Sequence, residues 1–290
     1  MVRIAPKFRL ASSSKTGTVA AIALMLATTS TPLLPAGAAT TGPQAWEISL
    51  FDPPDRGAPA TVGGASRGNE LCGKVVPLVP REQATNELIN PPYFGLTVAA
   101  QPTFFWQFEQ PETYAGTPVL FYLDEYSPQT GRFKEVYSTT LRYPETEGVV
   151  SFKPPFDLEV GKSYQWSVMM DCEPQDGQVS SIEGLVERVE ETSTLRRALS
   201  AAKSPIAQTE AYAREGIWFD ALNIVAQERM KADRPELQAA WMQLLQDVDK
   251  LEVADTPLMP SQRPQTASGS EGWQFDGQGS PDSRSETGPR

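Results

Sequence analysis

The sequence predicts a mainly β protein with a C-terminal α part: an antiparallel β-sandwich followed by a small helical hairpin unit. Three observations carry that expectation. Between residues 71 and 192 the hydrophobic period is two, in short runs separated by Gly- and Pro-bearing turns. No helical pattern interrupts these runs, which argues for antiparallel pairing rather than helical crossovers. After residue 192 the period lengthens to about 3.6.

Taken in order, residues 1–38 read as a signal peptide. Arg3, Lys7, Arg9 and Lys15 form a positive start, "VAAIALMLA" (19–27) is a short apolar run, and "PAGAA" offers small residues for cleavage after Ala38. The apolar run is far short of the roughly 20 residues that cross a bilayer as a helix. With the signal cleaved, no transmembrane segment is expected. Cleavage removes four basic residues and no acidic one, leaving 21 basic against 36 acidic residues. Such an acidic chain is a poor partner for nucleic acid. The expected location is the periplasm, the outer envelope or the medium.

Residues 39–70 are rich in Gly and Pro, with one strand predicted at 45–51. Arg56, Gly63, Gly64 and Arg67 could offer backbone N–H groups and guanidinium to an anion. The stretch lacks the GK[ST] ending of a phosphate loop, and ordinary loop geometry also explains its glycines. Strands are then predicted at 95–100, 103–109, 118–124, 132–141, 148–153, 163–172 and 178–190, within a sandwich spanning 71–192.

In the strand at 163–172, Tyr164, Trp166, Val168, Met170 and Cys172 share one face, and Gln165, Ser167, Met169 and Asp171 share the other. The first set is apolar and predicts the core side. Cys72 and Cys172 are the only cysteines. In an exported chain they are expected to pair with each other, the alternative being two separate thiols. The run "FDLEVGKSYQWSV", with Leu158, Gly161 and Tyr164, resembles the penultimate-strand corner of immunoglobulin-like and fibronectin-type-III-like domains. The resemblance concerns the fold and not an activity.

The helical unit is expected over 193–252. Its helices are placed near 194–202, from Ser204–Pro205 to about 215, over 218–231, and from Pro235 onward. Asp233 and Glu236 suggest a capping box for the last of these. "AYAREGIWFDALNIVAQERMKADRPELQAAW" resembles a tetratricopeptide repeat in its glycine, aromatics, Asp-Ala pair and closing proline. Tyr212, Trp218, Phe219 and Trp241 are mostly expected to pack the repeat, with one or two lining a partner groove. Residues 253–290 are Pro, Gln, Ser, Gly and charge, and predict a disordered tail.

The chain has no histidine, which excludes Ser-His-Asp and Cys-His nucleophilic sites and the usual His-based zinc sites. Carboxylate chemistry remains open on paper through Asp124 and Glu125 with Glu109 or Glu112, and "DCEPQDG" (171–177) groups Asp171, Glu173 and Asp176 as oxygen ligands of the kind calcium takes, a stretch that turn chemistry explains without a metal. Phe104, Trp106 and Phe108 share a strand face, with Phe105 opposite; core packing is the expected use and sugar stacking the alternative. No catalytic residue, cofactor or metal is assigned. From "RGAPATVGGASRG" through "GLTVAAQPTFFWQF" and "LEVGKSYQWSVMMDCEPQD" to "YAREGIWFDALNIV", the chain resembles the mainly cyanobacterial, exported domain-of-unknown-function family 928. That resemblance implies an extracytoplasmic sandwich-plus-helices protein and brings no activity with it. The expected function is a non-enzymatic protein-interaction or scaffold module of the cell envelope. The alternative is a carbohydrate-binding module for envelope or extracellular polysaccharide.

Overall fold

The computed structural model describes residues 50–54, 75–82, 92–108, 111–173 and 178–265. All of them lie in one unit, Trp46–Arg290. In chain order the strands are β1 (Val75–Pro77), β2 (Tyr93–Thr97), β3 (Phe104–Phe108), β4 (Pro118–Ser127), β5 (Arg132–Arg142), β6 (Val149–Phe152), β7 (Ser163–Glu173) and β8 (Gln178–Arg188). The helices are α1 (Pro111–Tyr114), α2 (Ser193–Ala201), α3 (Pro205–Arg214), α4 (Trp218–Lys231) and α5 (Pro235–Asp247). The protein is thus mainly β, with four helices in its C-terminal part.

The strands form two sheets, ordered β1-β3-β6 and β2-β8-β7-β4-β5. Aromatic rings lock them face to face. Phe104 of β3 lies 5.4 Å from Phe121 of β4 and 5.3 Å from Trp166 of β7, and Phe152 of β6 lies 5.0 Å from Phe121. All four are fully buried, each contributing about 1.5–3 kcal/mol by removal from water. Along β7, Tyr164, Trp166, Val168 and Met170 are buried, as the period of two predicts.

One pairing departs from the antiparallel expectation: β2 runs parallel to β8. No tight turn joins these two strands, so no hairpin fixes their relative direction. The strand also sits earlier than expected, at Tyr93–Thr97. Of the strand expected at 45–51, only Leu50 and Phe51 are described, and they are not in a strand. Their backbone N–H groups both donate to Asp247 Oδ2 of α5, at 2.7 and 2.8 Å.

The helices share the core of the strands. Phe219 of α4 packs 5.3 Å from Phe104, and against Gly95 of β2 so closely that a Cβ there would lie 2.9 Å from its ring. Trp218 donates from Nε1 to the Leu78 carbonyl at 2.9 Å and stacks edge-on with Phe51. Asp220, in the first turn of α4, accepts from Thr97 Oγ1 at 2.7 Å and from the Val98 N–H at 3.2 Å. Burial pushes its carboxyl up, against the lowering effect of those bonds. α3 turns into α4 through Gly216, at φ 70°, a left-handed position that favours glycine.

Helix starts are where the capping signals place them, with one correction. Thr192 caps α2 and Ser204 caps α3 through their side-chain oxygens. The expected Asp233 cap of α5 does not form; Arg234 occupies the cap position and makes no side-chain cap bond. Pro235 takes the first helical position, so the cap falls on its immediate neighbour.

The segment after α5 also differs from the expected tail. A 3-10 turn (Leu251–Val253) leads into an extended strap. The strap exchanges backbone bonds with β6: Val149 N–H to Pro257 O, Met259 N–H to Val149 O and Gln262 N–H to Ser151 O. It then reaches β5, where Gln265 N–H donates to Thr140 O. Leu258 and Met259 pack against the core. Composition missed this because a proline-rich strap needs few donors to follow a sheet edge.

Candidate functional site

The residues singled out from the sequence fall in three places. Trp218, Phe219 and Trp241 are buried in the core, Trp241 beneath the Arg229 guanidinium at 5.1 Å. Tyr212 alone of that group keeps some exposure, and it packs against a second small core. Phe104, Phe105, Trp106 and Phe108 are all buried. Arg56, Gly63, Gly64, Arg67 and Cys72 lie outside the described residues, as does the loop at 174–177. Cys172 is placed by its backbone near the end of β7, and its pairing with Cys72 therefore also lies outside them.

The second small core covers part of the five-stranded sheet's outer face. Phe94 and Leu96 of β2 and Leu185 of β8 pack there with Leu195 of α2, Ala211 of α3 and Ile217. Phe133 of β5, paired with Tyr126 of β4, also packs against this core. Over the rest of β7, β4 and β5 the outer face is partly exposed, apart from the buried Ser167.

The register of this open half builds the site. Leu120, Thr140 and Met169 form one cross-strand row; Tyr122, Ser138, Ser167 and Glu183 form the next; Asp124, Glu135, Gln165 and Leu185 form the third. A β-bulge follows Leu123 and brings Asp124 opposite Glu135. Ser138 Oγ donates to Glu135 Oε1 at 2.8 Å, and Gln165 Nε2 donates to Glu183 Oε2 at 2.8 Å. Leu120, Tyr122 and Met169 are half-buried, while Glu135 is exposed.

The electrostatics follow from that register. Burial, then the facing Glu135 carboxylate, pushes the Asp124 carboxyl up to about 6. Burial, then Glu135 and Asp124, also pushes the Tyr122 hydroxyl up. Glu125, the next residue and on the opposite face, meets Lys162 Nζ at 3.0 Å instead. Asp124 and Glu125, each weighed from sequence as a partner for Glu109 or Glu112, therefore face apart. The Glu109 and Glu112 side chains lie outside the described residues.

Sequence reasoning named Asp124 but missed Glu135, Glu183 and Met169 as its companions. Alternation along β4 and β5 could have placed them, but the bulge breaks the simple count. Chemically, the open half offers carboxylate acceptors beside apolar contact area. Among the described residues, no group of three or more His, Cys, Asp or Glu is arranged to hold a metal ion. A groove between α3 and α5 is lined by Leu50, Ile206, Glu210, Ala240 and Gln243. No described helix is long and apolar enough to cross a membrane.

Residues 62–258 match the family described as Domain of Unknown Function (DUF928), and the chain belongs to that family. No curated protein shows significant sequence similarity to it.

Proposed function

We propose that this protein is an exported, non-enzymatic interaction module of the cell envelope. It binds a protein partner through the open half of its outer sheet face. The observation that carries this reading is the uneven cover of one sheet. Helices bury the face over β2 and β8, whereas Leu120, Tyr122 and Met169 stay half-exposed over β4 and β7. Exposed apolar area rimmed by polar groups marks binding surfaces.

Export rests on the charged, apolar and small-residue segments of residues 1–38. The non-enzymatic reading rests on the absence of histidine from the sequence and on the open sheet face. We further read the strands as an immunoglobulin-like sandwich. Its support is the order β8-β7-β4-β5 opposite β3-β6, and a corner in which the Glu159 N–H donates to the Tyr164 hydroxyl at 3.0 Å. The helices α3 to α5 are read as one tetratricopeptide-like hairpin and a following helix, docked on the sandwich rather than on further repeats. The glycan alternative loses its platform, since Phe104, Phe105, Trp106 and Phe108 are core residues.

Because helices and strands share a core, the test is a surface substitution and not a deletion. The oxidised chain serves as bait on a native envelope extract, beside a Met169→Arg variant. The expected result is a protein captured by the parent chain and lost from the variant. Equal capture by both would overturn the reading.

A further inference from the structure

Asp124 and Glu135 sit directly opposite each other on β4 and β5, the least favourable cross-strand placement for two like charges. Neither meets a lysine or arginine among the described residues; the bond that Glu135 makes is with the Ser138 hydroxyl. The contrast with Glu125 is direct. One residue along the same strand, on the other face, the carboxylate is neutralised by Lys162. The fold therefore supplies a cation to one side of β4 and leaves the other side negative.

The neighbouring rows fit a cationic guest. Tyr122 presents a ring whose face attracts ammonium and guanidinium groups. Leu120 and Met169 pair across β4 and β7, and methionine adapts its shape to varied apolar partners. The aliphatic stem of a lysine or arginine can cover such residues while its head reaches the carboxylates. β5 is the last strand of the sheet, and the strap meets its edge at Thr140 and Leu141, toward the far end of the strand from Glu135. The net charge of −11 favours the same encounter at longer range.

We propose that the open half of the sheet face binds a lysine- or arginine-bearing segment of the partner protein, its cationic side chains lying against Asp124 and Glu135. This rests on the protein-binding reading above and names the chemistry of the partner.

The test uses the full chain and two labelled peptides of equal length, one alternating lysine with leucine and one alternating glutamate with leucine. Fluorescence anisotropy reads binding. The parent chain binds the lysine peptide and not the glutamate peptide. The double variant Asp124→Asn/Glu135→Gln weakens that binding by about tenfold, as expected for losing two charge-assisted contacts. It removes a repulsive pair, so loss of fold does not mimic the effect. The control Glu145→Gln/Glu252→Gln makes the same charge change at exposed sites elsewhere and shifts binding by less than about twofold. Equal losses from the two double variants would reduce the effect to bulk charge and overturn the proposal. So would a lack of preference between the peptides. In the envelope extract, capture that is lost on Met169→Arg but unchanged by Asp124→Asn/Glu135→Gln would keep the protein-binding reading and discard the cationic partner. Capture unaffected by either would discard both.

Discussion

The two halves of one sheet face carry different chemistry. Over β2 and β8 the outward residues Phe94, Leu96 and Leu185 meet α2 and α3 and are buried. Over β4, β5 and β7 the outward Leu120, Tyr122, Asp124, Glu135, Gln165 and Met169 retain exposure, while Ser167 is buried and Phe133 packs on the small core. Both halves obey the same two-residue alternation. What differs is the cover. Under α2 and α3 the buried side chains Phe94, Leu96 and Leu185 are aliphatic and aromatic, with Glu183 of β8 half-buried beside them. Where no helix lies, carboxylates appear between apolar residues, a mixture costly to bury without partners. Such a mixture suits the reversible contact proposed for the open half.

That difference is easiest to break from the covered side. Leu185→Ala opens a cavity under α2 and should cost about 2–5 kcal/mol, whereas Met169→Ala on the open half should cost under about 1 kcal/mol. Chemical denaturation of both variants checks the contrast; similar losses would mean that the open half is core. Next in size is the tie between α4 and β2. Asp220→Ala strands the Thr97 hydroxyl and the Val98 N–H, and should cost about 1–3 kcal/mol. Hydrogen exchange at Val98 should quicken in that variant, and unchanged protection would refute the tie.

The smallest effect lies on the open half and has the opposite sign. The Asp124 carboxyl in the folded protein sits near 6, above its ordinary 3.8. The folded state therefore holds the proton more tightly than the unfolded chain. The resulting penalty is absent below pH 3.8, grows as pH rises, and is complete above about 6. Asp124→Asn should accordingly stabilise the protein at pH 7, and the gain should shrink toward pH 4. Solvent screening at this partly exposed site holds it to about 1 kcal/mol. Melting the two proteins across that range tests both sign and window; a gain that grows on acidification would contradict the assignment.

Much of the architecture was readable because its signals are local. Alternation in 163–173 placed Tyr164, Trp166, Val168 and Met170 in the core, and Pro205, Gly216 and Pro235 punctuated the helices. The parallel pairing of β2 with β8 was not readable, since no turn links them and direction is set by distant packing. Nor was the strap, whose backbone bonds to β6 depend on which sheet edge is free. The site suffered from the same gap. Asp124 and Glu135 are separated by a hairpin, and only a register that includes the bulge puts them face to face. The aromatics Trp218, Phe219 and Trp241 stood out in sequence by size, yet size is also what a shared core between helices and strands requires.

Oxidative footprinting of Met169 and Tyr122, read by mass spectrometry, tests the central claim most directly. The isolated protein and the protein recovered with its captured partner are compared. The account predicts that both residues are modified in the isolated protein and protected in the complex, while Phe94 and Leu185 stay protected throughout. Unchanged modification of Met169 and Tyr122 in a complex that still holds its partner would contradict it.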